Sequence, residues 1–473
     1  MKKYLVICIT FIFIGCSGNL ESLNEDVKNA TSAPAEAFFN QALKNMSDVE
    51  SDLTYGGSAS IMTLGRIWSQ QISSVTYNEG SRYFMSSNWN PVYMGVLMNL
   101  SESKEAINNT AETPTNSVAL QNQAAIVEIL TVYAFSKLVE GFGDVPYTEA
   151  LDVSNVSPVY DKAESIYLDL LTRLNTALNN IDETGASWQQ DLMYNGNTKL
   201  WKKFGRSLQL QMGMRVADSN PQVAESNIVA AIPGVFTSNA DNAQVEHMSA
   251  QPNTTQLYLD LAVGNRKDFV GGKPFLEYMN GVNDPRRSVY FKTVADTGNY
   301  LGAPTGQVVN YTSYSEMGTL FYQPETAVIF IDYATVEFLL AEAAERNIGG
   351  VVDAELHYNN AIKASFEYYG VDGVEDYLLQ PEVAYATAST NWKEKIGMQK
   401  WVALYNQGFE AWTEYRRLDY PQLSAPADGY VNIVPLRLLY PISEQTLNRS
   451  NYEAASTTIG GDLLTTRLFW DKY

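Results

Sequence analysis

Residues 332–364 carry two helical periods back to back, and this pairing limits what the rest of the chain can fold into. From Asp332 to Arg346, Val336, Leu339, Leu340, Ala343 and Ala344 recur at the spacing of one helix face. Gly349-Gly350 then turns the chain, and Asp353 stands where it caps a second helix bearing Ala354, Tyr358, Ala361 and Ile362. The same logic repeats upstream. Leu120 to Val139 is apolar nearly all round, with only Glu128 and Lys137 charged, which predicts a helix buried on most sides. Gly141 to Pro146 stops it. Asp161 and Glu164 predict a capping box opening a helix with Ile166, Leu170, Leu174 and Leu178 on one face. Thr198 opens another, carrying Leu200, Trp201, Phe204, Leu208 and Met212.

The spacing Ala354-x3-Tyr358-x2-Ala361 resembles the second helix of a tetratricopeptide repeat (TPR), where small residues let two helices approach and a ring fills the gap. Ala163-x3-Tyr167-x2-Leu170 is a weaker echo. No strict repeat of ~34 residues runs through the chain. The expected fold class is mainly α: a TPR-like, helix-pair superhelical scaffold with long irregular loops and a few short strands.

The N-terminus reads as an address. Met1-Lys2-Lys3 is basic, Tyr4 to Ile14 is apolar with a single Thr, and Gly15-Cys16 precedes the polar run Ser17-Gly18-Asn19. The apolar stretch is too short for a bilayer span of ~20 residues and fits a signal peptide. Gly15-Cys16 resembles a bacterial lipobox, in which the cysteine is acylated and becomes the first mature residue; the rival is an ordinary cleaved signal with an incidental cysteine. The expected division is a lipoprotein signal at 1–15, a lipidated tether at 16–33 starting at Cys16, and a single domain with TPR-like helix pairs at 34–473.

Chemistry is conspicuous for what it lacks. The formal net charge of −21 opposes non-specific nucleic-acid binding, which needs lysine and arginine to replace phosphate counterions. His247 and His357 are the only histidines, Cys8 and Cys16 the only cysteines, so a histidine-rich metal site, a cysteine zinc site and a disulfide framework are excluded. No nucleophile elbow, P-loop or dinucleotide fingerprint occurs. Neither catalysis nor a cofactor or metal is expected. Arg286-Arg287 and Arg416-Arg417 sit beside Asp284, Glu414 and Asp419 and are expected to form structural ion pairs.

Aromatic loops are the remaining functional feature. Residues 77–91, 183–197 and 290–330 break the helical pattern and combine rings with Gly, Pro or polar side chains. Long loops of that kind are usually functional. A flat ring stacks on the C–H face of a sugar or on a peptide side chain, and polar neighbours take the hydroxyls. We expect a ligand site where 77–91 meets 298–322, built from Tyr77, Arg82, Tyr83, Tyr300, Tyr311 and Tyr314, with Asn299 and Gln307 as hydroxyl partners.

Taken in order, several short motifs resemble the SusD/RagB family of nutrient-binding outer-membrane lipoproteins, in its second SusD-like branch. They are Asn90-Pro91-Val92-Tyr93, Gly143-Asp144-Val145-Pro146-Tyr147, Leu200-Trp201-Lys202-Lys203-Phe204, Met214 to Asp218 and Asn283-Asp284-Pro285-Arg286. Further on come Glu337 to Ala344, Gln399 to Leu404, Tyr415 to Pro421 and Tyr440 to Glu444. The resemblance implies a surface-exposed, lipid-anchored outer-membrane protein. It would bind an oligosaccharide, or a peptide, and deliver it to a SusC/RagA-like TonB-dependent transporter. The rival readings are a periplasm-facing TPR-like scaffold lipoprotein that binds only protein, and a cryptic glycosidase.

Overall fold

Helices form wherever the apolar period runs longest. A computed structural model describes residues 33–53 and 61–473; the signal at 1–15 and Cys16 with nearly all of its tether lie outside the described residues. The longer helices are α1 (Ala35–Ser51), α2 (Ile61–Trp68), α3 (Met98–Asn108), α4 (Ser117–Phe142), α5 (Ala163–Asn180), α6 (Thr198–Arg215), α7 (Pro221–Ala231) and α8 (Lys273–Gly281). They continue with α9 (Tyr333–Glu345), α10 (Ala354–Tyr368), α11 (Trp392–Ala403), α12 (Gly408–Leu418) and α13 (Arg449–Thr458). Sequence neighbours pack as pairs: α4 on α5, α6 on α7, α9 on α10 and α11 on α12. The mainly α, TPR-like expectation therefore holds. Three two-stranded antiparallel pairs complete the picture: β1 (Ile72–Ser74) with β5 (Phe269–Gly271), β2 (Val145–Pro146) with β3 (Tyr160–Asp161), and β4 (Ala243–Val245) with β6 (Val328–Ile331).

Local signals set most helix ends. Asp332 accepts from the Thr335 amide at 2.7 Å and Asp353 from the Leu356 amide at 3.1 Å, capping α9 and α10 as their positions predict. Gly143 leaves α4 at φ 86°, a left-handed stop that glycine alone adopts without strain. The capping box expected at Asp161 does not form. The α5 amide of Ala163 is instead taken by Asp144 at 2.8 Å, while Asp161 binds Tyr147 and Thr148. A carboxylate brought in by the α4–α5 turn outcompetes the local one.

Tight approach also depends on missing side chains. A Cβ on Gly65 would lie 2.6 Å from the Phe409 Cα, and one on Gly408 would lie 2.0 Å from the Arg66 Cγ. These two glycines let α2 and α12 touch backbone to backbone.

The core around Trp68, Trp201 and Trp412 encloses an extended charge network. Arg215 on α6 reaches Glu410 (2.7 Å) and Glu414 on α12, and Lys137 on α4 reaches Glu410 at 3.3 Å. Lys400 on α11 meets Glu414 at 2.7 Å, and Arg417 joins Glu414 (2.6 Å) to Glu342 on α9 (2.5 Å). Opposite charges alternate across five helices, so removing one strands others in a water-poor interior. Arg286 pairs with Asp284 at 2.6 Å, both fully buried, in a separate cluster with Phe366 and Tyr377. Arg416 departs from the expected ion pair. It lies against the Trp412 ring (3.5 Å) and the Trp470 ring (4.6 Å) and donates to the carbonyls of Glu140 and Leu436, both at 3.0 Å. Burial depresses its guanidinium to about 9. Asp419 instead closes α12 at φ 59°. Among the described residues, no helix is long and apolar enough to cross a membrane.

Candidate functional site

The two segments singled out from the sequence do meet. Val309 N donates to Val75 O (3.1 Å), Asn78 Nδ2 to Gly306 O (2.6 Å) and Ser73 Oγ to Pro304 O (3.3 Å). Pairing of β1 with β5 brings them together, because residues 303–315 lie along the outer side of β5. A third segment, 421–434, completes the wall. Tyr430 N donates to Arg82 O at 2.8 Å, and the Asp428 carboxylate holds Arg82 Nε at 2.9 Å. All three touch at Gly306, whose φ is 79° and where a Cβ would meet Pro426 at 2.7 Å and Arg82 at 3.2 Å. A larger residue there would prise the segments apart.

The proposed rings divide by backbone direction. Tyr77 is exposed, and so is Gln307, next to the Gly306 junction. Arg82 is half-buried, lying 5.0 Å over the Phe84 ring. Tyr83 offers no exposed ring face, although it is among the residues lining the cleft described below. It is 1% exposed at φ 69°, and its ring stands edge-on to Trp68 at 6.2 Å; the left-handed turn sends it inward and Phe84 outward. Tyr311 is withdrawn as a ligand residue. It is buried with Val75, Val270 and Ala303, and burial, then Tyr322 and Glu316, push its phenol well above the ordinary range. Tyr314 is half-buried on the edge of that cluster. Asn299 and Tyr300 belong to a different neighbourhood: Asn299 lies on an exposed turn, and Tyr300 lies under Arg287 at 5.4 Å with its carbonyl bound by Asn280.

Sequence reasoning missed most of the side chains that line the cleft here. Phe84 and Tyr430 (62% exposed) form an edge-to-face pair at 5.3 Å. With Tyr83, Tyr440, Gln445, Tyr452 and Asp462 they line a cleft of about 280 Å³. Tyr440 and Tyr452 are 6.0 Å apart at 79°. The signal was present in Pro426-Ala427-Asp428-Gly429-Tyr430, the same mixture of turn residues and a ring that marked the other loops. Charge in the cleft is already matched: Asp462 accepts from Arg437 (2.7 Å), the Tyr440 amide (3.1 Å) and the Tyr452 hydroxyl (3.2 Å). Such a cleft offers ring faces and hydroxyl or amide partners without a free charge, which suits a neutral polyhydroxylated ligand. Among the described residues, no group of three or more His, Cys, Asp or Glu is arranged to hold a metal ion.

Comparison with known proteins decides the ancestry of this architecture. A family model described as "SusD-like_2: Starch-binding associating with outer membrane" matches residues 27–441. The chain belongs to the SusD-like family. Similar solved structures include a "chitin-binding protein" at 25% identity and TM-score 0.76, covering 93% of this chain and 99% of that one. A chitin-binding SusD homologue from Flavobacterium johnsoniae is 24% identical, with TM-score 0.78 over 92% of this chain and 98% of that one. A SusD homologue from Bacteroides uniformis is also 24% identical, with TM-score 0.77 over 92% and 99%. No curated protein matches the chain. The SusD-like assignment accounts for the scattered motifs: Asn283 to Arg286, Gln399 to Leu404 and Tyr415 to Pro421 all carry residues of the buried ion pairs, so they mark the scaffold and leave the ligand unspecified.

Proposed function

We propose that this SusD-like chain is an outer-membrane lipoprotein, anchored through Cys16 and facing the cell surface. It captures a neutral oligosaccharide without chemical conversion and hands it to a SusC/RagA-like TonB-dependent transporter. The observation that carries the reading is the Phe84–Tyr430 pair, two exposed rings lining a charge-balanced cleft. The family description and the 25% identical chitin-binding relative support a glycan. Arg82, over the Phe84 ring, and the exposed Tyr77 and Gln307 beside the Gly306 junction are the next candidates; Asn299, Tyr300 and Tyr314 are secondary.

Calorimetric titration with chitin oligosaccharides, malto-oligosaccharides and neutral peptides tests the ligand class, with glycan binding expected and peptide binding alone counting against it. Each stacked ring contributes roughly 0.5–1.5 kcal/mol by analogy with aromatic pairs. A Phe84→Ala, Tyr430→Ala double variant should therefore lose about one to two orders of magnitude in affinity at unchanged Tm. Wild-type affinity in that variant would remove the cleft from consideration.

The anchor is tested separately. Two or three acyl chains hold a protein stably on a bilayer, at ~0.8 kcal/mol per buried CH₂. Cys16→Ala should leave an unprocessed or soluble species in cell fractionation; membrane recovery equal to wild type would refute the lipobox. Protease shaving of intact cells separates the surface reading from a periplasm-facing scaffold. Mild detergent purification should recover a barrel in comparable amounts, since a tether confining both proteins to one membrane raises their effective concentration.

A further inference from the structure

Apolar side chains crowd an outer corner that the aromatic cleft does not use. Val153 and Val156 are each 84% exposed and Leu447 is 74% exposed, with Met94 projecting beside them. Single exposed apolar residues need no explanation, but a group of them around one concavity marks an interaction surface. These four line a cleft of about 290 Å³ floored by Trp89 and Tyr93. The Tyr93 hydroxyl is occupied by the Pro146 carbonyl at 2.6 Å, so the floor presents ring rather than hydroxyl.

The corner is built, not a loose loop tip. Asp152 accepts from the Ser154 amide (2.9 Å) and hydroxyl (2.7 Å), and Asn448 and Asn451 donate to the carbonyls of Pro158 (2.8 Å) and Ser157 (2.9 Å). The valines are thus held out toward solvent before any partner arrives, which lowers the ordering cost of docking. Its charged lining side chains are Asp152 and Glu444, both acidic, with no lysine or arginine among them. One Glu444 oxygen accepts from the Tyr160 hydroxyl at 2.8 Å and Asn448 at 3.4 Å; the other has no donor among the described residues.

We propose that this corner docks a protein segment that inserts one apolar side chain between Met94 and Leu447 and sets an adjoining lysine or arginine on Glu444. The volume falls at or below the ~300–1,000 Å³ of pockets that bury a whole drug-sized molecule, and it suits a single large side chain. The acidic rim and the net charge of −21 select a basic neighbour and disfavour an anionic lipid surface. The inference is independent of glycan capture, because Met94, Val156 and Leu447 lie outside the aromatic cleft.

Four acetylated, amidated hexapeptides with Gly/Ser flanks and Leu-Lys, Leu-Gln, Leu-Glu or Ser-Lys at the centre test it, titrated by peptide-observed NMR against the full chain in detergent. Leu-Lys should bind at least tenfold more tightly than Leu-Glu, with Leu-Gln between them and Ser-Lys weakest. Leu447→Asp should weaken Leu-Lys at least tenfold while leaving glycan titration and Tm unchanged. Glu444→Gln should bring Leu-Lys down to Leu-Gln. Equal binding of the four peptides, binding of none, or indifference to Leu447→Asp overturns the proposal. So does retention of the Cys16→Ala chain on phosphatidylcholine vesicles that Leu447→Asp abolishes, which would assign the corner to lipid.

Discussion

Glu414→Ala should cost this protein about 3–5 kcal/mol of stability, a large part of what a folded domain typically has. Glu414 is almost fully buried and accepts from three cations, Arg215, Lys400 and Arg417, on three different helices. Burial alone would raise its carboxyl; Arg417, Lys400 and Arg215 outweigh that and hold it well below the ordinary range. Truncation leaves Lys400 without its carboxylate and removes one partner each from Arg215 and Arg417, with no water to replace it. The Glu410 and Glu342 pairs remain, so the fold weakens without losing its topology. Urea unfolding should report an earlier midpoint at unchanged slope. The control is Glu453→Ala, which breaks the exposed i,i+4 pair with Arg449 and should leave the midpoint unmoved. A Glu414→Ala midpoint equal to wild type would show that the network is not what holds α6, α11 and α12 together.

How much of this was legible in the sequence depends on how far each determinant reaches. The α9–α10 pair was readable because its apolar period and both caps act within four residues. The end of α4 was readable because Gly143 acts on its own backbone. Asp144 capping α5 was not, since Asp161 looked locally equivalent and only the path of the turn chooses between them. The meeting of 77–91 with 298–322 could be guessed from shared composition, but which rings face the solvent could not. Tyr83 and Phe84 are adjacent and chemically alike, and a positive φ at residue 83 alone decides that one is core and the other exposed. Similarly, Arg416 and Arg417 are neighbours with opposite solutions, one bidentate on carboxylates and the other wedged between indole rings over carbonyls. Helix rotation separates them by ~100°, and the sequence does not say which face meets Glu342.

The carboxylate contribution to stability should peak between pH 3.8 and 6 and fall steeply below it. His247, lowered by burial from 6.5 to about 4, adds stability as pH rises to 6.5 and moves the observed maximum upward. Two sets of carboxylates act in opposite senses. Glu410 is pulled down from 4.5 to about 2: burial would raise it, but Arg215 and Lys137 prevail. Glu342 beside Arg417, Glu414 in the same network and Glu128 beside Arg173 are lowered in the same way. For these groups the unfolded chain binds more protons than the fold. Their stabilisation is therefore fully present above about 4.5 and is lost as pH falls toward 2. Asp471 is the reverse, raised by burial from 3.8 to about 6 despite Arg467 and Arg416. Buried Glu50 and Asp332 are raised as well, chiefly by desolvation. The fold prefers these protonated, so their contribution is complete below the unfolded value and disappears as pH rises through the folded one. The two limbs cross between 3.8 and 6. Urea midpoints measured from pH 2 to 8 in a His247→Asn background should trace that peak. Glu410→Gln should lower stability above pH 4.5 and flatten the acid limb, whereas Asp471→Asn should flatten the limb above the peak. An Asp471→Asn variant whose pH profile matches wild type would mean that Asp471 is reached by water, and that the interior is less dry than the packing of Trp470 against Arg215 and Arg416 implies.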